Sequence, residues 1–192
     1  MKPGALLLTP GAGSDRNHRA LVAIEAAVAP MPTARIDFPY RKAGRRAPDR
    51  APVLIACIRE EAAVLVAESR TRPAALALGG RSMGGRMCSM AIAEGLPAAA
   101  LVLISYPLHP PGKPDALRVD HFPAIDVPCL FVSGTKDPFG APKELERHTK
   151  KIVGDVTHAW IDGGGHDFKR HDDEVAETVA HWLRGLPARR SR

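Results

Sequence analysis

Ala75-Leu76-Ala77-Leu78-Gly79-Gly80-Arg81-Ser82-Met83-Gly84-Gly85-Arg86 is the stretch that decides the fold. A short apolar run ends in glycines, a serine follows, and a segment compatible with a helix, residues 83–93, begins at once. Residues 80–84 match the pattern G-x-S-x-G between a strand and a helix. Such a turn is sharp, and the serine at its tip takes a strained backbone conformation that lifts its hydroxyl above the sheet. Side chains two residues before and after that serine would collide with neighbouring backbone, so glycine stands at both places. The helix behind it aims its free amides and positive dipole end at the serine. As a bare string the pattern is only moderately specific. The strand before it and the helix after it favour a nucleophile over a glycine-rich turn that happens to hold serine.

The same rhythm extends outward from this turn. Apolar runs lie at 5–8, 34–38, 75–78, 101–104, 129–132 and 157–161. Most are almost continuously hydrophobic, as strands covered on both faces are. Segments with helical spacing separate them, at 18–28, 49–68, 83–93, 142–153 and 172–186. Alternation of this kind predicts right-handed crossovers and an α/β fold. The expected sheet is mostly parallel, of about six strands, with helices on both faces. The length of 192 residues suits a single domain over 1–187 and leaves no room for a large cap. Residues 188–192 read as a frayed basic end. Only 109–127 breaks the rhythm, with four prolines and no helical stripe. It reads equally well as a flap over a site and as a proline-stiffened surface loop.

In an open parallel sheet, sites form at the carboxyl ends of the strands. The residues that follow the runs are therefore the ones to weigh. Ser82 needs a base, because a serine hydroxyl is a weak nucleophile. Of eight histidines, only His166 directly follows the last run, in Gly163-Gly164-Gly165-His166. The imidazole in turn needs a carboxylate to hold its tautomer. Asp137 lies just beyond the fifth run, whereas Asp126 and Asp155 fall at the opposite edge. Asp162 and Asp167 adjoin His166 in sequence rather than facing it from another strand. The order Ser82, Asp137, His166 is the one expected when such a turn bears the nucleophile. Two amides would hold the oxyanion: that of Met83, and that of Ala12 in the loop after the first run, where Gly11 and Gly13 permit close approach. A phosphate-loop reading of residues 10–14 fails, because the G-K-[ST] ending is missing.

The formal charge is +6, concentrated in Arg41, Lys42, Arg45, Arg46 and Arg50 and in the tail Arg189, Arg190 and Arg192. No nucleic-acid motif accompanies it, so a solvated basic face is expected and no nucleic-acid partner. Cys57, Cys88 and Cys129 lie in apolar stretches, without the spacing of a disulfide framework or a zinc site. Free buried thiols suit a cytoplasmic location. The run at 5–8 is too short for a signal peptide, and no stretch spans a membrane. Neither metal nor cofactor is expected, and the oligomeric state stays open.

At this point the chain resembles small, lidless α/β-hydrolases of the dienelactone-hydrolase-like kind, in particular a family of hydrolases with the turn GGRSMGGR, here residues 79–86. FPYRKAGRRAPDR from Phe38, SYPLHPPGKP from Ser105, GTKDPFG from Gly134 and GGGHDF from Gly163 are similar to that family as well. The resemblance implies an α/β-hydrolase fold and triad roles for Ser82, Asp137 and His166. Dienelactone hydrolases typically carry cysteine where this chain has Ser82, which argues against dienelactone as the substrate. The expected activity is cleavage of an ester or thioester of a small acyl substrate through an acyl-enzyme. The alternative is a noncatalytic binding or scaffold protein on the same fold. Tyr40, Arg41, Tyr106, Leu108 and Phe139 are expected to border the cleft. Arg41 suits an acidic substrate group or a structural ion pair equally, and Arg81 and Arg86 share that ambiguity.

Overall fold

A computed structural model describes residues 2–187 of the chain. The basic end at 188–192, with Arg189, Arg190 and Arg192, lies outside the described residues. The six apolar runs form six strands: β1 (Ala5–Thr9), β2 (Thr33–Arg35), β3 (Leu76–Arg81), β4 (Ala100–Ile104), β5 (Cys129–Gly134) and β6 (Val156–Ile161). They pair in the order β2-β1-β3-β4-β5-β6, and every pairing is parallel. Parallel neighbours need long crossovers, which α-helices supply here except between β4 and β5, where the irregular segment makes the connection. The helices are α1 (Arg19–Val28), α2 (Pro39–Lys42), α3 (Ala51–Glu68), α4 (Met83–Ala93), α5 (Pro142–Thr149) and α6 (Asp172–Gly185).

The central strands are buried on both faces because alternate residues feed two cores. Leu7, Leu78, Leu103 and Phe131 join Leu54, Ile58, Met87 and Ile92 of α3 and α4. Leu6, Leu8, Val102 and Val132 join Leu21 and Ile24 of α1 and Val175 and Val179 of α6. On the latter side Arg19 reaches Asp172 at 2.7 Å, tying α1 to the acidic first turn of α6. Pro52 and Pro142 stand at helix starts, where a missing amide costs nothing.

The boundaries move where local chemistry overrides hydrophobicity. β2 stops at Arg35 rather than 38: Phe38 is buried, and Pro39 turns the chain into α2. β3 runs on through Gly79 and Gly80, which keep their places opposite Leu8 and Thr9 of β1. α5 ends at Thr149 rather than 153, because the chain then turns back and the amide of Val153 bonds to Ile125 O at 3.0 Å.

The irregular segment 109–127 divides in two. Residues 111–116 are exposed. Val119, Phe122 and Ile125 are buried, and Phe122 packs against Tyr106 and Phe131 with ring centroids 5.4 and 6.3 Å away. The second half is thus part of the core, which favours a packed loop over a flap for that portion. Among the described residues no inserted helical cap covers the carboxyl edge of the sheet. No helix among them is long and apolar enough to cross a membrane.

Candidate active site

The strand order reverses between β1 and β3, and the turn after β3 opens at that switch point. Ser82 sits there at φ 51° and ψ −119°, a conformation that disfavours any residue with a side chain. Its own backbone is pinned on both sides. Its amide donates to Ile104 O at 2.8 Å, and its carbonyl accepts from Arg86 N at 3.1 Å. A methyl group on Gly80 would strike Thr9 Oγ1 and come within 2.6 Å of Gly85 N. One on Gly84 would meet Pro10 O and come within 2.8 Å of Thr9 O. The two glycines therefore let α4 rest against β1 and the loop beyond it.

β5 and β6 pair in parallel register, so their carboxyl-end loops emerge beside each other and on the same edge as Ser82. Lys136 N bonds to Gly164 O at 2.9 Å across those loops. This brings three distant side chains into one chain of contacts. His166 Nε2 lies 2.8 Å from Ser82 Oγ. On the other side of the ring, Nδ1 lies 2.8 Å and 3.0 Å from the two carboxylate oxygens of Asp137. A carboxylate can only accept there, so Nδ1 carries the proton and Nε2 is left free to accept from Ser82.

The surroundings hold this arrangement. Asp137 is buried, and one of its oxygens also accepts from Phe139 N at 2.9 Å. The Phe139 ring stacks on the imidazole with centroids 4.0 Å apart. Arg81 Nη2 donates to His166 O at 2.8 Å and so ties the histidine loop to the end of β3. The rival carboxylates go elsewhere: Asp162 is exposed and accepts from Thr135 Oγ1 at 3.2 Å, and Asp167 is also exposed.

Ala12 and Met83 line the same open cleft as Ser82 and His166, a space of about 430 Å³. Met83 is the first residue of α4, where an amide has no partner inside the helix. The Ala12 carbonyl is held by Tyr40, whose hydroxyl donates to it at 2.9 Å. That contact fixes the Ala12–Gly13 peptide, next to the one that carries the Ala12 amide.

The expected cleft border is only partly there. Phe139 lines the cleft. Tyr40, Tyr106 and Leu108 do not: all three are buried in the core beneath it. Tyr40 supports the Ala12 loop from below, and Tyr106 donates to Arg118 O at 2.6 Å. Arg41 pairs with Asp15 at 3.5 Å, the structural alternative of its two readings. Arg86 and Arg118 line the cleft as well. Arg118 was not expected from the sequence, because it lies in the segment that has no periodicity to orient it.

The family described as alpha/beta hydrolase domain matches residues 2–186. The structure is similar to a dienelactone hydrolase from Anabaena variabilis, with a TM-score of 0.75 and 19% identity, over 95% of this chain and 86% of that one. It is similar to a serine hydrolase without lid from Xanthomonas campestris, with a TM-score of 0.73 and 17% identity, over 98% and 85%. It is also similar to a type II thioesterase from the borrelidin biosynthetic cluster, with a TM-score of 0.68 and 20% identity, over 95% and 93%.

Proposed function

The chain belongs to the alpha/beta hydrolase domain family, and from that premise we propose that it is a serine hydrolase cleaving a small ester or thioester through Ser82, His166 and Asp137. One observation carries this reading: the unbroken chain of short contacts from the Ser82 hydroxyl through the imidazole to a buried carboxylate. His166 Nε2 takes the Ser82 proton as Oγ attacks the carbonyl carbon. The amides of Met83 and Ala12 receive the negative charge that develops on the carbonyl oxygen. Asp137 stabilises the imidazolium without taking its proton. His166 then protonates the leaving alcohol or thiol, and a water activated by the same nitrogen releases the acid from Ser82.

Ester and thioester both suit a nucleophile of this kind. The fold likeness to a dienelactone hydrolase and to a type II thioesterase supports keeping the two together. A cleft without a cap admits small acyl groups. The three free, buried cysteines support a reducing, cytoplasmic setting. Burial alone pushes the thiol of Cys129 up to about 12.

Covalent labelling with a fluorophosphonate probe tests the reading. Wild type is expected to label, and S82A is expected not to. An unlabelled wild type that also turns over no ester across a range of acyl lengths would sink the hydrolase and leave a binding protein on this scaffold.

A further inference from the structure

Three guanidiniums line the cleft, and among the described residues those of Arg86 and Arg118 have no protein partner, whereas Arg81 is held by His166 O. Arg86 projects from the first turn of α4, four residues after Ser82. Arg118 reaches the same cleft from the packed half of 109–127. Among the described residues neither side chain meets a carboxylate, whereas Arg19, Arg35, Arg41, Arg45 and Arg59 each do. Arg86 Nε is buried and lacks any hydrogen-bond acceptor. Burial, and then the charge of Arg86, draw Arg118 below the usual arginine value.

The backbone that carries each of them is held in place. Ser89 Oγ donates to Arg86 O at 2.7 Å, and His121 Nε2 lies 2.7 Å from that same Oγ. The single hydroxyl proton goes to the carbonyl, so His121 must donate from Nε2. Tyr106 holds Arg118 O from below. Burial, helped by the charge of Arg86, pushes His121 down to about 4. It is neutral near pH 7 and changes nothing in the local charge balance. Two like charges, partly withdrawn from water and held beside a cleft, are unfavourable until an anion joins them. A guanidinium fork matches the terminal oxygens of a carboxylate or a phosphate.

We propose that Arg86 and Arg118 form an anion subsite beside Ser82, which binds a carboxylate or phosphate group carried by the ester or thioester substrate. The assignment of substrate class rests on the hydrolase reading above; the anion site itself does not.

The test compares kcat/KM for the mono-4-nitrophenyl ester of glutarate with that for its neutral methyl ester. Wild type is expected to favour the anionic ester tenfold or more. That ratio is expected to fall at least tenfold in R118M and in R86M, and to invert in R118E. R118K, which keeps the charge and loses the fork, should retain part of the preference. Calorimetric titration of S82A with glutarate and with inorganic phosphate needs no turnover and separates the two anions. Binding of either is expected, and its loss when R118M is added. Equal rates on both esters with no anion bound would overturn the subsite and leave the hydrolase standing. Glutarate or phosphate bound through Arg118, without turnover or probe labelling, would overturn the hydrolase and keep the anion site. Neither turnover nor binding overturns both.

Discussion

The helix α4 and the residue that caps it carry two serine–histidine contacts, seven residues apart and almost equal in length. Ser82 Oγ lies 2.8 Å from His166 Nε2, and Ser89 Oγ lies 2.7 Å from His121 Nε2. Only the first has the direction that nucleophilic chemistry needs. Behind His166 stands Asp137, which keeps the proton on Nδ1 and leaves Nε2 to accept. No carboxylate bonds to His121 among the described residues, and the Ser89 proton is already given to Arg86 O. Backbone differs in the same sense. Ser82 is held at positive φ at the mouth of a cleft, while Ser89 is an ordinary buried helical residue. A short contact between a hydroxyl and an imidazole is therefore not by itself a reactive one. The third partner sets which atom holds the proton.

Breaking each pair in turn should expose that difference. S82A is expected to lose turnover on the order of 10⁶-fold, measured on a chromogenic ester. The loss in S89A should be smaller by a factor of at least about 10³, because no bond-making atom is removed. Next in size, D137N is expected to lower kcat on the order of 10⁴-fold with little change in KM. The amide would let the imidazole settle in the other tautomer. A D137N variant close to wild type would show that the carboxylate behind His166 does not do what separates the two pairs.

Smaller effects sharpen the comparison from the other side. His121 is pushed down to about 4 in the folded chain, against about 6.5 when unfolded. The unfolded state therefore takes up a proton first as pH falls, and stability drops between pH 6.5 and 4, with no further loss from this group below. After allowance for the ring's partial contact with water, the drop is about 2 kcal/mol. H121Q keeps a donor toward Ser89 and should lose this part of the acid sensitivity. Urea midpoints at pH 7 and pH 5, for wild type and variant, measure it. The smallest effect is expected from Y40F, which frees the Ala12 carbonyl and loosens the loop that carries the Ala12 amide. It should cost about 1 kcal/mol of stability. It should also lower kcat severalfold while leaving KM almost alone, a split that a purely structural tyrosine would not produce.

Much of the candidate site was legible because its chemistry is local. The glycines at 80 and 84 announce a turn that excludes side chains, and the clashes at both places are the physical reason. His166 and Asp137 could be chosen from their rivals because parallel strands deliver every following loop to one edge. His121 illustrates the opposite case. Nothing in the sequence marks it as a partner of Ser89, since the two meet only when 109–127 packs against α4.

By itself, then, the sequence determined the parallel order of strands and helices, the strained turn at Ser82 and the set of loops that meet there. Periodicity and glycine sterics act over a few residues and need no knowledge of the whole. Tertiary structure alone decided which neighbouring side chains face the cleft. Tyr40, Tyr106 and Leu108 turn into the core, Arg41 goes to Asp15, and Arg118 faces the space beside Ser82. Those choices are made where the chain has no repeating pattern, so packing against residues far away in sequence sets the direction of each side chain.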